Sequence, residues 1–147
     1  MRVFLALVLA AGTCCGQAFG TWKMNPARSV FAGAAKPKSL TVRIEPHPKG
    51  EVFTLERLEP DGRTTSSSSI LYLDGEPRSF VDFGCSGIQS SRRADERTVE
   101  IVRMCASGGW MRLVKRSAAK SNELVLEITE QPVDGSRVER RLILERQ

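Results

Sequence analysis

Regularly spaced turn signals are the feature of this chain that most restricts its fold. Short turn-forming pairs recur mostly about 12 to 14 residues apart, at Lys49-Gly50, Asp61-Gly62, Asp74-Gly75, Asp95-Glu96, Ser107-Gly108-Gly109, Ser121-Asn122 and Asp134-Gly135. A glycine after an aspartate supplies the positive φ that tight hairpin turns require. The spacing therefore predicts a series of short strands joined by hairpins.

Between these turns, apolar and β-branched residues alternate with polar ones. Leu40, Val42 and Ile44, for example, are separated by Thr41 and Arg43. A period of two is typical of strands with one buried face. Nine strands are predicted, at 39–46, 52–58, 64–73, 77–84, 88–94, 97–105, 110–117, 123–130 and 136–145. Segment 23–38 does not alternate and is predicted to be a loop.

Nine hairpin-linked strands in an open sheet would leave two long unpaired edges, and closure into a barrel removes them. The sequence therefore predicts an all-β fold, an antiparallel up-and-down β-barrel of eight to ten strands. A flattened two-sheet sandwich is the alternative. A barrel of this size can enclose one small ligand.

The N-terminal segment has the pattern of a secretory signal peptide. Met1-Arg2 provides a positive start, residues 3–11 are apolar, and Gly16 and Ala18 are small. The apolar run is too short to span a bilayer, which needs roughly 20 residues. We therefore expect a signal peptide at 1–18, a domain at 19–147 and a periplasmic or secreted location. A lipid anchor on Cys14 is less favoured. Lipid attachment requires a Leu-x-small-Cys pattern, and Cys14 is preceded by Ala11-Gly12-Thr13, which lacks the leucine.

The predicted domain retains two cysteines, Cys85 and Cys105. In an oxidising compartment such a pair is a candidate disulfide. A tight turn near Asp95 would pair positions whose numbers sum to about 190, which sets Cys85 opposite Cys105 at a bridgeable distance. Two buried free thiols are the alternative. No metal site is predicted, because two sulfurs and the remote His47 are too few ligands.

The positive charge of the chain is spread rather than clustered. Lys and Arg total 22 against 17 acidic residues, a net charge of +5, and removal of Arg2 with the signal would leave +4. Interleaved acids and bases are typical of a solvated exterior, and nucleic-acid binding would need clustered cations with aromatics. We expect no nucleic-acid partner. Arg28, Lys36 and Lys38 favour at most weak contact with an anionic membrane surface.

Catalytic motifs are missing from the sequence. It has no Gly-x-Ser-x-Gly elbow, no phosphate-binding glycine loop and no Cys-x-x-Cys pair. Its single histidine, His47, lies between two prolines in a predicted turn. We therefore predict that the protein is not an enzyme, and we assign no catalytic residue and no cofactor.

Polar residues in apolar strand phases are candidates for a ligand pocket. Arg103 shares one strand face with Val99 and Ile101. Arg112 shares a face with Trp110, although Met111 and Leu113, on the other face of that strand, are also candidates for the inward positions. An inward arginine in a water-poor barrel needs a partner, such as a ligand carboxylate. The predicted ligand-binding residues are Tyr72, Phe83, Arg103, Trp110 and Arg112. The alternative interpretation leaves both arginines in solvent.

The segment Gly20-Thr21-Trp22-Lys23-Met24-Asn25-Pro26-Ala27-Arg28-Ser29 resembles the opening of small exported lipocalin-like proteins of bacteria. The resemblance implies a lipocalin-like barrel whose floor is closed by Trp22. It also implies that an arginine of the last strand stacks on this tryptophan, an interaction that contributes roughly 0.5–2 kcal/mol. Arg141 is our choice for that cation, with Arg140 and Arg146 as alternatives.

Together these observations predict an exported, monomeric barrel that binds a small apolar or amphipathic molecule non-covalently. The alternative is a cell-envelope interaction protein with a packed barrel, whose loops contact a partner. A hollow interior would favour the first function and a filled one the second.

Overall fold

The computed structural model describes residues 18–82, 85–118 and 122–147. Within these ranges the chain forms strands and no helix. The strands are β1 (Gly20–Met24), β2 (Val30–Ala32), β3 (Ser39–His47), β4 (Gly50–Leu58), β5 (Thr64–Leu71), β6 (Arg78–Asp82), β7 (Cys85–Asp95), β8 (Thr98–Cys105), β9 (Trp110–Ser117), β10 (Glu123–Gln131) and β11 (Val138–Arg146). Residues 1–17 of the expected signal peptide, including Cys14, lie outside the described residues.

The nine predicted strands correspond to β3–β11, and the predicted fold class is confirmed. The prediction of a loop over 23–38 is wrong in part, because β1 extends to Met24 and β2 lies within this segment. Both short strands pair with the same edge of β11, β1 at Leu144 to Arg146 and β2 at Glu139 to Arg141. Their pairing depends on a distant strand, so the local sequence pattern does not reveal β2.

One antiparallel sheet curls into a nearly closed barrel, in the order β5-β4-β3-β1-β11-β10-β9-β8-β7-β6. Strand β1 closes the circle by pairing with both β3 and β11. Strands β5 and β6 are the two ends of this order and are not paired with each other. The Ser67 hydroxyl donates to the Asp82 carboxylate across this gap, at 2.7 Å.

Trp22 closes one end of the barrel. Its side chain is 2% exposed, its Nε1 donates to the Ala18 carbonyl at 2.9 Å, and the Arg146 guanidinium lies 4.4 Å from its ring centroid. The choice of Arg141 as the stacking cation is therefore wrong. Arg141 has the opposite strand phase from Arg146 and faces the exterior near Glu127, with its side chain 56% exposed.

Ala18, the last residue of the expected signal peptide, is part of this closed end. It is 5% exposed and belongs to the apolar cluster that contains Trp22 and Met24. Its carbonyl is the acceptor of the indole hydrogen bond. Ala18 thus contributes to the packing of the barrel.

The predicted disulfide between Cys85 and Cys105 is confirmed, with the two Cα atoms 5.3 Å apart. The predicted register is wrong by two residues, because Gly87 rather than Cys85 lies opposite Cys105. The difference arises because the hairpin turn lies later than predicted, with Asp95 paired to Thr98, and the irregularity between Arg93 and Asp95 offsets only one residue of it. The disulfide therefore joins diagonal neighbours. A Cβ on Gly87 would lie 2.0 Å from the Met104 carbonyl oxygen, so only glycine fits there.

We expect removal of this disulfide to lower the free energy of unfolding by about 3 kcal/mol, because the bond restricts a loop of 20 residues in the unfolded chain. The measurement is urea denaturation of the wild type and of the double variant Cys85→Ser/Cys105→Ser. The wild type with added reductant should then match the variant, which should itself be insensitive to reductant. Coincident unfolding midpoints for oxidised wild type and variant would contradict the expectation.

Candidate ligand-binding cavity

A cavity of about 760 Å³ occupies the half of the barrel away from Trp22. Its rim includes residues of the turns that follow β4, β8 and β10, among them Arg63, Ser107 and Val133. The volume is within the range of roughly 300–1,000 Å³ that is typical of small-molecule sites.

With the closed Trp22 end taken as the bottom of the barrel, the lower wall of the cavity is apolar. It is lined by Leu40, Phe53, Leu55, Ile101, Met111, Leu113, Ile128 and Leu142. Below this level, buried side chains fill the barrel, including Val42, Ile44, Leu124, Leu126 and Leu144. The interior is therefore hollow at the rim end and packed at the Trp22 end.

A polar wall is provided by β5, whose sequence is Thr-Thr-Ser-Ser-Ser-Ser-Ile-Leu. Thr65, Ser67 and Ser69 alternate with more exposed residues and line the cavity. On the outer face, Ser68 shares a hydrogen bond with Thr54 at 2.9 Å. The serine run thus supplies hydroxyl groups, each able to donate and accept, to one side of the cavity.

Arg103 lines the cavity, as predicted from its strand phase. Its guanidinium donates to Asp82 at 2.8 Å, to Gln89 at 2.7 Å and to Ser69 at 3.4 Å. It also lies 4.9 Å from the ring centroid of Phe80. Because these partners belong to β5, β6 and β7, Arg103 holds the unpaired edges of the barrel together.

Two further arginines, which sequence reasoning did not assign to the cavity, also face it. Arg57 lies 3.2 Å from the Glu59 carboxylate, and Arg140 donates to Glu130 at 2.7 Å. The signal that could have identified them is strand phase, because both occupy inward-facing positions. Arg57 continues the inward series of Phe53 and Leu55, and Arg140 that of Leu142 and Leu144.

The prediction of Arg112 as a ligand-binding residue is wrong. Met111 and Leu113 take the inward positions of β9, so Arg112 points outward with its side chain 51% exposed. It donates to Glu100 at 2.5 Å, and together with Arg92 it lowers the pKa of that carboxyl. Trp110 has the same outward phase, but as the first residue of β9 it reaches the cavity rim.

The prediction of Tyr72 as a lining residue of the main cavity is also wrong. Strand β5 ends at Leu71, so Tyr72 belongs to the connection to β6 and lines a separate cavity of about 260 Å³ between β5 and β6. The guanidinium of Arg78 lies 3.9 Å from its ring centroid. Phe83, another predicted lining residue, lies outside the described residues.

A buried ion pair lies at the closed end, and sequence reasoning missed it. The Lys115 ammonium donates to the Glu51 carboxylate, and the two residues are 3% and 1% exposed. Burial lowers the pKa of Lys115, an effect that the neighbouring carboxylate of Glu51 opposes. Neither residue lines the cavity.

Among the described residues, no group of three or more histidine, cysteine, aspartate or glutamate side chains could hold a metal ion. His47 is the last residue of β3, at the closed end, where its Nδ1 accepts a hydrogen bond from the Lys49 amide at 3.1 Å. The residues that the structure describes include no helix that is long and apolar enough to cross a membrane.

Comparison with protein-family models and with curated protein sequences gives no match for this chain. Solved structures do match it. A secretory abundant heat soluble protein from Ramazzottius varieornatus superposes with a TM-score of 0.61 at 9% identity, covering 90% of this chain and 97% of the other. As-p18, an extracellular fatty acid binding protein, superposes with a TM-score of 0.58 at 12% identity, covering 90% of this chain and 99% of the other.

Zebrafish ileal bile acid-binding protein, in complex with cholic acid, gives a TM-score of 0.54 at 13% identity, with 89% of this chain and 100% of the other covered. These identities establish similarity of fold alone. The chain therefore has the architecture of the lipocalin-like and fatty-acid-binding-protein-like β-barrels.

Proposed function

We propose that this protein binds a small apolar or amphipathic molecule non-covalently inside the barrel. The observation that carries the proposal is the cavity of about 760 Å³, with an apolar lower wall and a polar upper part. Most small-molecule sites combine such a largely apolar lining with a few orienting polar groups. Similarity to barrels that bind fatty acids and bile acids supports the same function.

The alternative, a packed barrel whose loops contact a partner in the cell envelope, receives less support. That function does not require interior space, whereas the upper half of this barrel is hollow. We also propose that the protein acts as a binding protein and not as an enzyme. Its cavity cysteines, Cys85 and Cys105, are joined to each other and offer no free thiol.

Export to the periplasm or the exterior and a monomeric state remain part of the proposal. The disulfide supports an oxidising compartment, and the structural similarity to an extracellular binding protein agrees with it. The buried position of Ala18 favours a mature chain that retains this residue, one residue more than the predicted cleavage leaves.

We expect the protein to bind the neutral fluorescent probe N-phenyl-1-naphthylamine, and a variant with a filled cavity to lose this binding. Met111→Trp places a larger side chain in the cavity and should weaken the probe at least about tenfold, since a ligand that overlaps the indole is excluded. The measurement is a fluorescence titration. Native mass spectrometry of the purified protein would identify any co-purified molecule.

Thr129→Trp is the matched control, because Thr129 lies on the neighbouring strand, opposite the outward Arg112. It adds an indole to the exterior and should leave probe affinity unchanged. The proposed function fails if the wild type binds no probe, or if Met111→Trp and Thr129→Trp bind it equally well.

A further inference from the structure

Arg57 is the cavity arginine whose hydrogen-bonding capacity is least used. Its Nε is buried and has no hydrogen-bond partner, although the Glu59 carboxylate lies 3.2 Å away. No residue in the described ranges accepts a hydrogen bond from its guanidinium. A buried donor without an acceptor is costly in a protein interior and is rare in native structures. Arg57 therefore retains unused capacity for an anionic acceptor.

The other three cavity arginines donate hydrogen bonds to protein groups, Arg63 to Asp61 on the rim and the other two inside the cavity. Arg103 donates to Asp82, Gln89 and Ser69, and Arg140 donates to Glu130. A ligand would share these guanidinium groups with protein acceptors that are already bonded, whereas at Arg57 it would compete only with the unbonded carboxylate of Glu59. This difference sets Arg57 apart from the other cavity arginines.

The charge of the cavity lining is close to balanced. Each of its four arginines has a carboxylate neighbour, namely Glu59, Asp61, Asp82 or Glu130. Attraction of an anion therefore depends on the unused donors of Arg57 rather than on an excess of positive charge, and partial exclusion of water strengthens it.

The position of Arg57 on β4 sets the direction in which a ligand would lie. The inward side chains of this strand run from Glu51 at the closed end through Phe53 and Leu55 to Arg57 and Glu59 near the rim. At about 3.3 Å per residue, Arg57 stands roughly 13 Å above Phe53. Thr65 lies opposite Arg57 on β5 and also lines the cavity.

We propose that Arg57 selects ligands with a singly charged carboxylate head, and that this head lies at the rim while the apolar tail points down towards Phe53 and Leu113. This inference rests on the proposed function. Among the described residues of the closed end, the ammonium of Lys115 is not comparably free to donate to the head, because it is already paired with Glu51. The guanidinium can hold a carboxylate in a bidentate arrangement.

The test compares three probes with the same twelve-carbon tail, namely dodecanoic acid, dodecanol and dodecylamine, as competitors of the neutral fluorescent probe. The wild type should bind the acid about 10–100-fold more tightly than the alcohol, as expected for hydrogen bonds to a charged group, and the amine more weakly than either. Arg57→Gln should reduce affinity for the acid to that for the alcohol and leave the alcohol unchanged.

Two further variants keep the test decisive if Arg57→Gln folds poorly. Glu59→Gln removes the carboxylate next to Arg57 and should tighten acid binding several-fold. Arg43→Gln is the matched control, since Arg43 lies on the exterior with its side chain 52% exposed, and it should leave all three affinities unchanged. Thermal unfolding of each variant verifies folding.

Failure of this inference is distinguishable from failure of the proposed function. Binding of acid and alcohol with equal affinity would overturn the role of Arg57 and leave the cavity function intact. Loss of acid preference in Arg103→Gln or Arg140→Gln, with Arg57→Gln unaffected, would overturn it as well. If none of the probes binds, the proposed function itself fails.

Discussion

Replacing Lys115 with methionine is expected to lower the free energy of unfolding by about 3–5 kcal/mol near neutral pH. Lys115 and Glu51 are almost completely buried and are paired with each other. The methionine preserves most of the side-chain volume, so the loss arises from the Glu51 carboxylate that remains buried without its counter-charge. Urea denaturation followed by circular dichroism measures the effect.

Two controls identify the cause of the Lys115 effect. Arg116→Met breaks an exposed ion pair with Glu127, whose side chains are 50% and 42% exposed, and should cost less than about 1 kcal/mol. The double variant Glu51→Leu/Lys115→Met removes both charges and should approach or exceed wild-type stability. If Lys115→Met costs no more than Arg116→Met, the buried pair does not have the energetic role we assign to it.

Replacing Trp22 with alanine is expected to cost about 3–5 kcal/mol, the range for removal of a large buried aromatic side chain. The indole is 2% exposed, and its loss would open a cavity at the closed end. The substitution also removes the hydrogen bond to the Ala18 carbonyl and the stacking of Arg146. Because tryptophan itself is being changed, denaturation should be followed by far-ultraviolet circular dichroism.

Trp110→Ala is the control for this prediction, since Trp110 lies half-buried at the cavity rim. It should cost roughly 1–2 kcal/mol, because a partly exposed side chain buries less apolar surface. Equal destabilisation by the two substitutions would show that closure of the barrel end does not depend on Trp22 in the way described.

Nine of the eleven strands were predictable because turn chemistry and alternation are local properties. Asp61-Gly62 and Asp134-Gly135 identify hairpins without reference to any other part of the chain, and the nine strands followed from such signals. Strand β2 was not predictable, because its three residues form a strand only through pairing with β11, more than a hundred residues later.

The inward face of each strand was predictable only where one phase was clearly apolar. On β8, Val99 and Ile101 made one face apolar and placed Arg103 inward correctly. On β9, apolar residues occur in both phases, and the structure places Met111 and Leu113 inside and Arg112 outside. Alternation defines which residues share a face, and only packing decides which face is buried.

The sequence by itself determined the all-β, hairpin-linked barrel and the pairing of Cys85 with Cys105, because residues close in sequence encode turns, alternation and nearby cross-links. Tertiary structure alone decided that Arg146 stacks on Trp22, that Lys115 is buried with Glu51, and that Arg57 faces the cavity. These contacts depend on the register between strands that are distant in sequence. A shift such as the one between Arg93 and Asp95 changes them without any local signal.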